Sequence, residues 1–562
     1  MTRNSVEDNG HDANPNYADQ INHLEPLAIG DQRLERKIGW AMGAMINVSY
    51  IIGAGIFAGP AFTLQLVGSG GMNLVIWLAG AGIAMAGTWT FAELGTMLPR
   101  SGGEVGYLEY CYRKPKYLFA YLFTWWSLMN RGSGVAAQGI VFGGYMNYAL
   151  FGSTFKSSWG ERGWAILCAT ILMATNIFST KASMSMMAGL TGIKIGVLLL
   201  IATIGVLVLV KAIPSDVDAG ENLSFHGTAS TLGPYASALY YVMNSYSGWH
   251  NLNFILDEVK DPIRNLPKAS AAALGSTALL YILTNIAYLV VLPMESMKNS
   301  QFIVAAAFFT KCFGESFAST VLPVFIGLSA FGCGAAINFS GGRVIMETAR
   351  NGLLPFGRTF GHVHPLTSSP VNAYLLQYFL AIFFAVVPPP GAVYQFIVAF
   401  AAYPVYIFYT LIALSVLILR KREPLNKRPI VAPLVCVLVF LCFTIYALIF
   451  VFIPVKNPYY PYWVPYVSAI VFMLVCSVFW YYQIIVKDTP GKSYNQSIRN
   501  DGRAALEHEV FGGYVPLNND EDEENSSGEA HGASQASVTI GNNLYLAVLF
   551  VPIMLGFFWL LL

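Results

Sequence analysis

Residues 50–60 read YIIGAGIFAGP, and residues 240–259 read YYVMNSYSGWHNLNFILDEV. Each lies inside a long apolar run, and neither suits lipid. Gly53, Gly55 and Gly59 stand beside Pro60 in the first. Asn244, Ser245, Ser247, Gly248, His250, Asn251 and Asn253 crowd the middle of the second. Two readings fit the glycines. Small residues form a packing face where membrane helices approach closely. Alternatively the helix breaks there, and its freed N–H groups bind an anion while its freed carbonyls bind a cation. Non-helical backbone persists at membrane depth only where it lines a cavity enclosed by protein. The polarity of the second run favours the break.

Two charged residues also fall within apolar runs. Lys194, in GLTGIKIGVLL, lies about ten residues into its run, or roughly 15 Å at ~1.5 Å per residue. That is near the middle of a ~30 Å hydrocarbon core, where snorkelling to the headgroups becomes difficult. An ionisable residue there is a functional candidate. Arg131, in LMNRGSGV, either pairs with a carboxylate such as Glu93 or holds a helix end. No nucleophile–base set stands out, and no His/Cys/Asp/Glu set has metal-ligand spacing. The pair His362 and His364 in FGHVHP is too small for one. No catalytic residue, metal or cofactor is therefore expected, and the chain reads as no enzyme.

The elements that must carry these residues follow from composition. The 562 residues are 55% hydrophobic and 11% charged, with mean hydropathy +0.53. Soluble domains carry roughly 25% charged residues, so this chain cannot cover a water-facing surface. It reads as an all-α polytopic membrane protein. Twelve spans are expected, near 38–63, 72–98, 117–150, 162–179, 184–211, 232–256, 269–293, 319–347, 370–388, 391–419, 431–454 and 462–486. Residues 1–37 form a polar N-terminal tail without a signal peptide, and 487–543 an acidic polar tail. The nineteen apolar residues 544–562 are long enough for a thirteenth span, the alternative being a helix lying against the membrane. With a cytoplasmic N-terminus, twenty Lys and Arg fall in inner loops and flanks and six in outer ones. That bias sets the orientation. Only Cys312 of the seven cysteines falls in an outer loop, so no extracellular disulfide framework is expected.

The two interrupted runs lie five spans apart, an odd number, so they cross the membrane in opposite directions. Such a pair points to an inverted-repeat transporter. The halves would be 38–211 and 232–419, with 431–486 as two added spans. IIGAGIF, FAELGTMLPRSGGEVGYL at 91–108 and SYSGWHNLNFILDEVKDPIRNLPKA at 245–269 resemble the amino acid–polyamine–organocation (APC) superfamily. So do FIGLSAFG at 325–332, GRVIMETARNGLLPF at 342–356 and PPPGAVYQFIVAFAAYPVYI at 388–407. The likeness is to the L-type amino acid transporter branch, and most of all to the fungal methionine permeases. It covers roughly 38–486.

The resemblance implies a LeuT-like 5+5 inverted repeat and a bound amino acid. N–H groups around Gly53, Ala54 and Gly55 would hold the carboxylate. Carbonyls of Ile51, Asn244 and Ser247 would take the ammonium. Tyr246 and Trp249 are candidate walls. Asn244 departs from the family, standing where mammalian L-type transporters carry a large aromatic gate. In sodium-independent members a fifth-span lysine occupies the cation position of sodium-coupled relatives. Lys194 matches it, leaning on carbonyls near Gly53 and on Ser329. The loop FGSTFKSSWGERG lacks the cysteine with which L-type transporters bind a heavy chain, so no disulfide-linked partner is expected. The implied function is sodium-independent uptake of a neutral L-amino acid, methionine favoured, at the plasma membrane. It would run by proton coupling or exchange. Alternatives are a broad-range exchanger of large neutral amino acids and an amino-acid-sensing receptor on the same scaffold.

Overall fold

The computed structural model describes residues 36–53, 55–99, 101–151, 158–299, 304–364, 367–387, 393–424, 428–450 and 463–486. The N-terminal tail through 35, Ala54, and the acidic tail with 544–562 lie outside them. A helix stands on each of the twelve apolar runs. The chain begins with α1 (Trp40–Ile51), α2 (Gly55–Val67), α3 (Gly70–Met97), α4 (Glu104–Cys111) and α5 (Leu118–Phe151). Then come α6 (Ser158–Phe178), α7 (Thr180–Leu209), α8 (Ala219–Asn222), α9 (Leu232–Ser245) and a 3-10 helix, Asn251–Glu258. The second half holds α10 (Pro262–Val291), α11 (Met294–Asn299), α12 (Val304–Phe313), α13 (Glu315–Arg350), α14 (Gly357–Phe360), α15 (Val371–Val386) and α16 (Val393–Arg422). Last are α17 (Leu434–Phe450) and α18 (Val464–Trp480), which runs on as a π turn, Tyr481–Val486. Among the described residues six helices are long and apolar enough to cross a membrane, three more are shorter apolar helices, and there is no strand beyond isolated bridges. The protein is an all-α polytopic membrane protein.

Helix starts differ from the sequence reading for local reasons. α10 begins at Pro262 rather than near 269, because proline is well accommodated in the first turn, where its missing N–H costs nothing. α7 begins at Thr180 because the Ser179 side chain accepts from the Ala182 N–H at 3.1 Å. The loop after α3 contains a helix the sequence reading left out. EVGYLEYC repeats its apolar residues at Val105, Leu108 and Cys111, and all three are buried.

α7 shows how the chain divides lipid from core. Met187, Thr191, Lys194, Leu198, Ile201 and Gly205 recur every three or four residues and are buried. Leu199, Leu200, Val206, Leu207 and Val210 on its other side are exposed and apolar. One helical face is thus core and the other suits hydrocarbon. α13 packs against α5, α7 and α1, and α10 packs against α3, α7 and α1. These helices enclose the two interrupted runs.

Candidate functional site

The first run breaks after Ile51. Ile52 is extended (φ −76°, ψ 93°), and α2 restarts at Gly55. A helix end leaves its last carbonyls without intrahelical partners. Here each carbonyl from Ser49 to Gly53 meets a side chain from another element. Lys194 donates from Nζ to Ser49 O at 2.8 Å and to Ile52 O at 2.6 Å. Cys333 Sγ lies 3.1 Å from Tyr50 O, and Tyr281 OH donates to Ile51 O at 3.1 Å. Ser329 Oγ reaches Ile52 O and Gly53 O, each at 3.5 Å. The lysine is 1% exposed. A Cβ on Gly332 would sit 2.9 Å from Lys194 Cε, so glycine there opens the way for the side chain.

The second run breaks after Ser245. Residues 246–250 form turns, then the 3-10 helix resumes the descent. Gly248 is required twice over. Its φ is +108°, and a Cβ would lie 2.1 Å from Tyr50 Cδ1. The two breaks touch. A Cβ on Gly55 already meets Ser245 Cα at 3.1 Å, so any larger residue would push α2 away from α9. Gly53 is different: its Cβ would make ordinary contacts, with Cys333 Sγ at 3.6 Å, Cys333 Cβ at 3.8 Å and Gln138 Oε1 at 4.0 Å. Asn47 of α1 donates to Trp249 O at 3.0 Å. Tyr281, buried on α10, bridges both breaks, its one hydroxyl proton shared between Ile51 O and Ser245 O, the latter at 3.3 Å.

The break borders a small cavity of about 40 Å³, with room for a few waters. Asn244, Ser247 and Trp249 line it together with Tyr406 and Tyr409 of α16. Tyr246 sits elsewhere. Its ring packs against Trp77 (5.8 Å between centroids) and Tyr281 (5.1 Å). The Ile51 carbonyl accepts from Gly53 N at 2.9 Å besides Tyr281, and Asn244 O accepts from Ser247 N at 3.2 Å. A bound ammonium at either carbonyl would therefore share or displace these donors. Ala54, the third N–H candidate, is outside the described residues.

Arg131 does not pair with Glu93. Its Nη1 donates to Ser340 Oγ of α13 at 2.6 Å, and its guanidinium lies 4.0 Å from the Phe254 ring centroid. Glu93 is taken by Arg420 and by Arg428 (3.4 Å), and it accepts from Ala432 N at 2.9 Å. Those partners come from the end of α16 and the segment before α17, far along the chain. Nearby, Glu258 and Arg343 form a buried bidentate pair at 2.6 and 3.4 Å, with Tyr374 OH also against the guanidinium. Ile38 bonds main chain to main chain with Glu258 and Lys260, at 2.8 Å each. The pair thus fastens the approach to α1, the end of the sixth run and α13 together.

Tyr281, Cys333 and the Glu258–Arg343 pair escaped the sequence reading. Tyr281 and Cys333 look like ordinary apolar packing residues, and the pairing of Arg343 spans 85 residues. All seven cysteines are free thiols.

The family model for amino acid permeases matches residues 38–482. The high-affinity methionine permease of Saccharomyces cerevisiae is 30% identical over 451 residues, 77% of each chain. Asc-type amino acid transporter 1 of Mus musculus is 29% identical over 421 residues, 75% of this chain and 77% of that one. The b(0,+)-type amino acid transporter 1 of Mus musculus is 30% identical over 405 residues, 71% of this chain and 79% of that one. The match runs from just before the first break to the last described helix, and the chain belongs to the amino acid permease family of the APC superfamily.

Proposed function

We propose that the protein is a secondary active transporter that imports a neutral L-amino acid, methionine first, by alternating access. The juxtaposed breaks at 52–55 and 246–250 carry this reading. They set main-chain donors and acceptors of opposite character side by side. Gly55 heads α2, whose positive dipole end attracts a carboxylate. Ser247 and Asn244 stand across from it at the C-terminal end of α9, which favours an ammonium. Main-chain groups can read a zwitterion without burying a fixed charge. No carboxylate projects from either break to neutralise a basic side chain, so a neutral substrate is favoured. The relative's name, a methionine permease, suggests which one.

Lys194 supports sodium independence. Its ammonium takes the Ser49 and Ile52 carbonyls that a bound cation would need. In this reading residues 38–211 and 232–419 are inverted repeats, 431–486 are added spans, and the N-terminus is cytoplasmic in the plasma membrane. The transport cycle is driven by protons or by exchange.

Uptake of labelled methionine into sodium-free vesicles tests the reading. Accumulation above the external concentration is expected. Specific binding with no entry would instead favour a receptor on the same scaffold.

A further inference from the structure

Beside the second break lies a chain of polar groups with no part in reading an amino acid's backbone. The Tyr409 hydroxyl borders the cavity and lies 3.1 Å from His250 Nδ1 and 3.4 Å from Nε2. Nε2 in turn lies 3.5 Å from Glu104 Oε1. Glu104 opens α4, outside the spans, yet it is 1% exposed, and its Oε2 has no hydrogen-bond partner. Burial pushes this carboxyl up to about 8. A buried carboxylate with an unpaired oxygen is costly, so the neutral acid is favoured.

Several groups face the carboxyl. Arg131 comes from α5, Tyr50 from α1, Tyr409 from α16 and Tyr107 from α4 itself. Glu347 of α13 lies against Gly102, two residues upstream. Arg131 is the cation among them and opposes the effect of burial. Its guanidinium is committed to Ser340 and Phe254 instead of to a carboxylate.

We propose that Glu104 is a proton-binding site of this transporter, loaded from the small cavity at the second break through Tyr409 and His250. The proposal rests on the transporter reading above and selects proton symport over exchange. The relay balances. An external proton reaches the cavity water as hydronium, which gives a proton to Tyr409 and returns to water, while Tyr409 passes its own to His250 Nδ1. The imidazolium then releases its Nε2 proton to Glu104 Oε1. One proton has entered, one carboxylate has become an acid, and the imidazole is neutral with its proton on Nδ1. His250 rides on the 246–250 break, so movement of that break opens the relay. The carboxyl then loses its proton to the opposite side as Arg131 gains the carboxylate, and the exposed imidazole resets its tautomer.

The full chain in liposomes holding a pH-sensitive dye, with methionine as probe, tests this. Wild type is expected to acidify the lumen when methionine enters and to slow as external pH rises through about 8, where the Glu104 proton is lost. Glu104→Gln is expected to cut methionine-dependent acidification roughly a hundredfold while methionine counterflow remains measurable. Tyr409→Phe interrupts the relay without removing a charge. It is expected to lower acidification relative to counterflow, and it serves where Glu104→Gln does not fold. Coupling equal to wild type in either folded variant overturns the assignment alone. Wild-type counterflow without acidification overturns proton symport and this site, leaving the transporter reading intact. No counterflow at all overturns the transporter reading itself.

Discussion

At the residue scale, Gly55 and Lys194 carry the account. Gly55 has no space for a side chain, because Ser245 Oγ lies 2.8 Å from where its Cβ would stand. Gly55→Val forces α2 off the sixth-run break. Overpacking of about 1–3 kcal/mol corresponds to a roughly five- to hundredfold loss at ~1.4 kcal/mol per tenfold. Uptake is expected to be lost while surface expression, measured by labelling intact cells, is kept. Lys194→Ala strips the donor from the buried Ser49 carbonyl and leaves Ile52 O with Ser329 alone, at about 1–3 kcal/mol for an unsatisfied group. Sodium-free uptake should fall strongly, and full activity in this variant would remove Lys194 from the mechanism. Lys194 was legible because an ammonium ten residues into an apolar run has few explanations. Tyr281 was not, since a tyrosine at the head of YILTNIAY, inside an apolar run, reads as packing. Its role depends on two carbonyls that lie 230 and 36 residues away along the chain.

At the element scale, the breaks were legible and their fastening was not. Glycine and proline in one run, and asparagine and serine in the other, cannot belong to unbroken lipid-facing helices. What holds the breaks in register is Tyr281, with Asn47 on Trp249 and Gly248 against Tyr50. Tyr281→Phe is expected to lower the melting temperature in detergent and to raise the KM for uptake, since it removes the hydroxyl that links Ile51 O to Ser245 O. An unchanged KM with lowered stability would assign the hydroxyl to structure alone. Gly248→Ala should be worse tolerated than Gly53→Ala in the same melting assay. At Gly248 both φ and the space behind the backbone forbid a Cβ, at about 1–3 kcal/mol for the backbone alone, whereas Gly53 has ordinary contact room. Equal losses would contradict the geometry. The α4 helix was missed because eight residues between two long apolar runs are too few to show a convincing period.

At the scale of the whole molecule, ion pairs join segments remote in the chain. Glu258–Arg343 ties the end of the sixth run to α13, and Glu93–Arg420 ties α3 to α16. Removing one partner of a buried pair leaves an uncompensated charge, at about 3–5 kcal/mol. Glu258→Gln is therefore expected to shift the protein toward the opposite-facing state. A cysteine placed at Asn251 should become more reactive to a cytoplasmic thiol reagent, and unchanged reactivity would show that the pair is no gate. The twelve helical runs and the family could be read from hydropathy and motifs. The pairs could not, because they join residues near the ends of elements far apart in the chain, whose charges look like ordinary membrane-flanking residues. The central claim is that juxtaposed main-chain groups select a neutral amino acid without sodium. It is tested most directly by competing twenty amino acids and methionine methyl ester against labelled methionine in sodium-free proteoliposomes. The account predicts competition by medium, neutral L-amino acids and little by arginine or the ester. Arginine outcompeting methionine, the ester competing as well as the free acid, or uptake that appears only with sodium would contradict it.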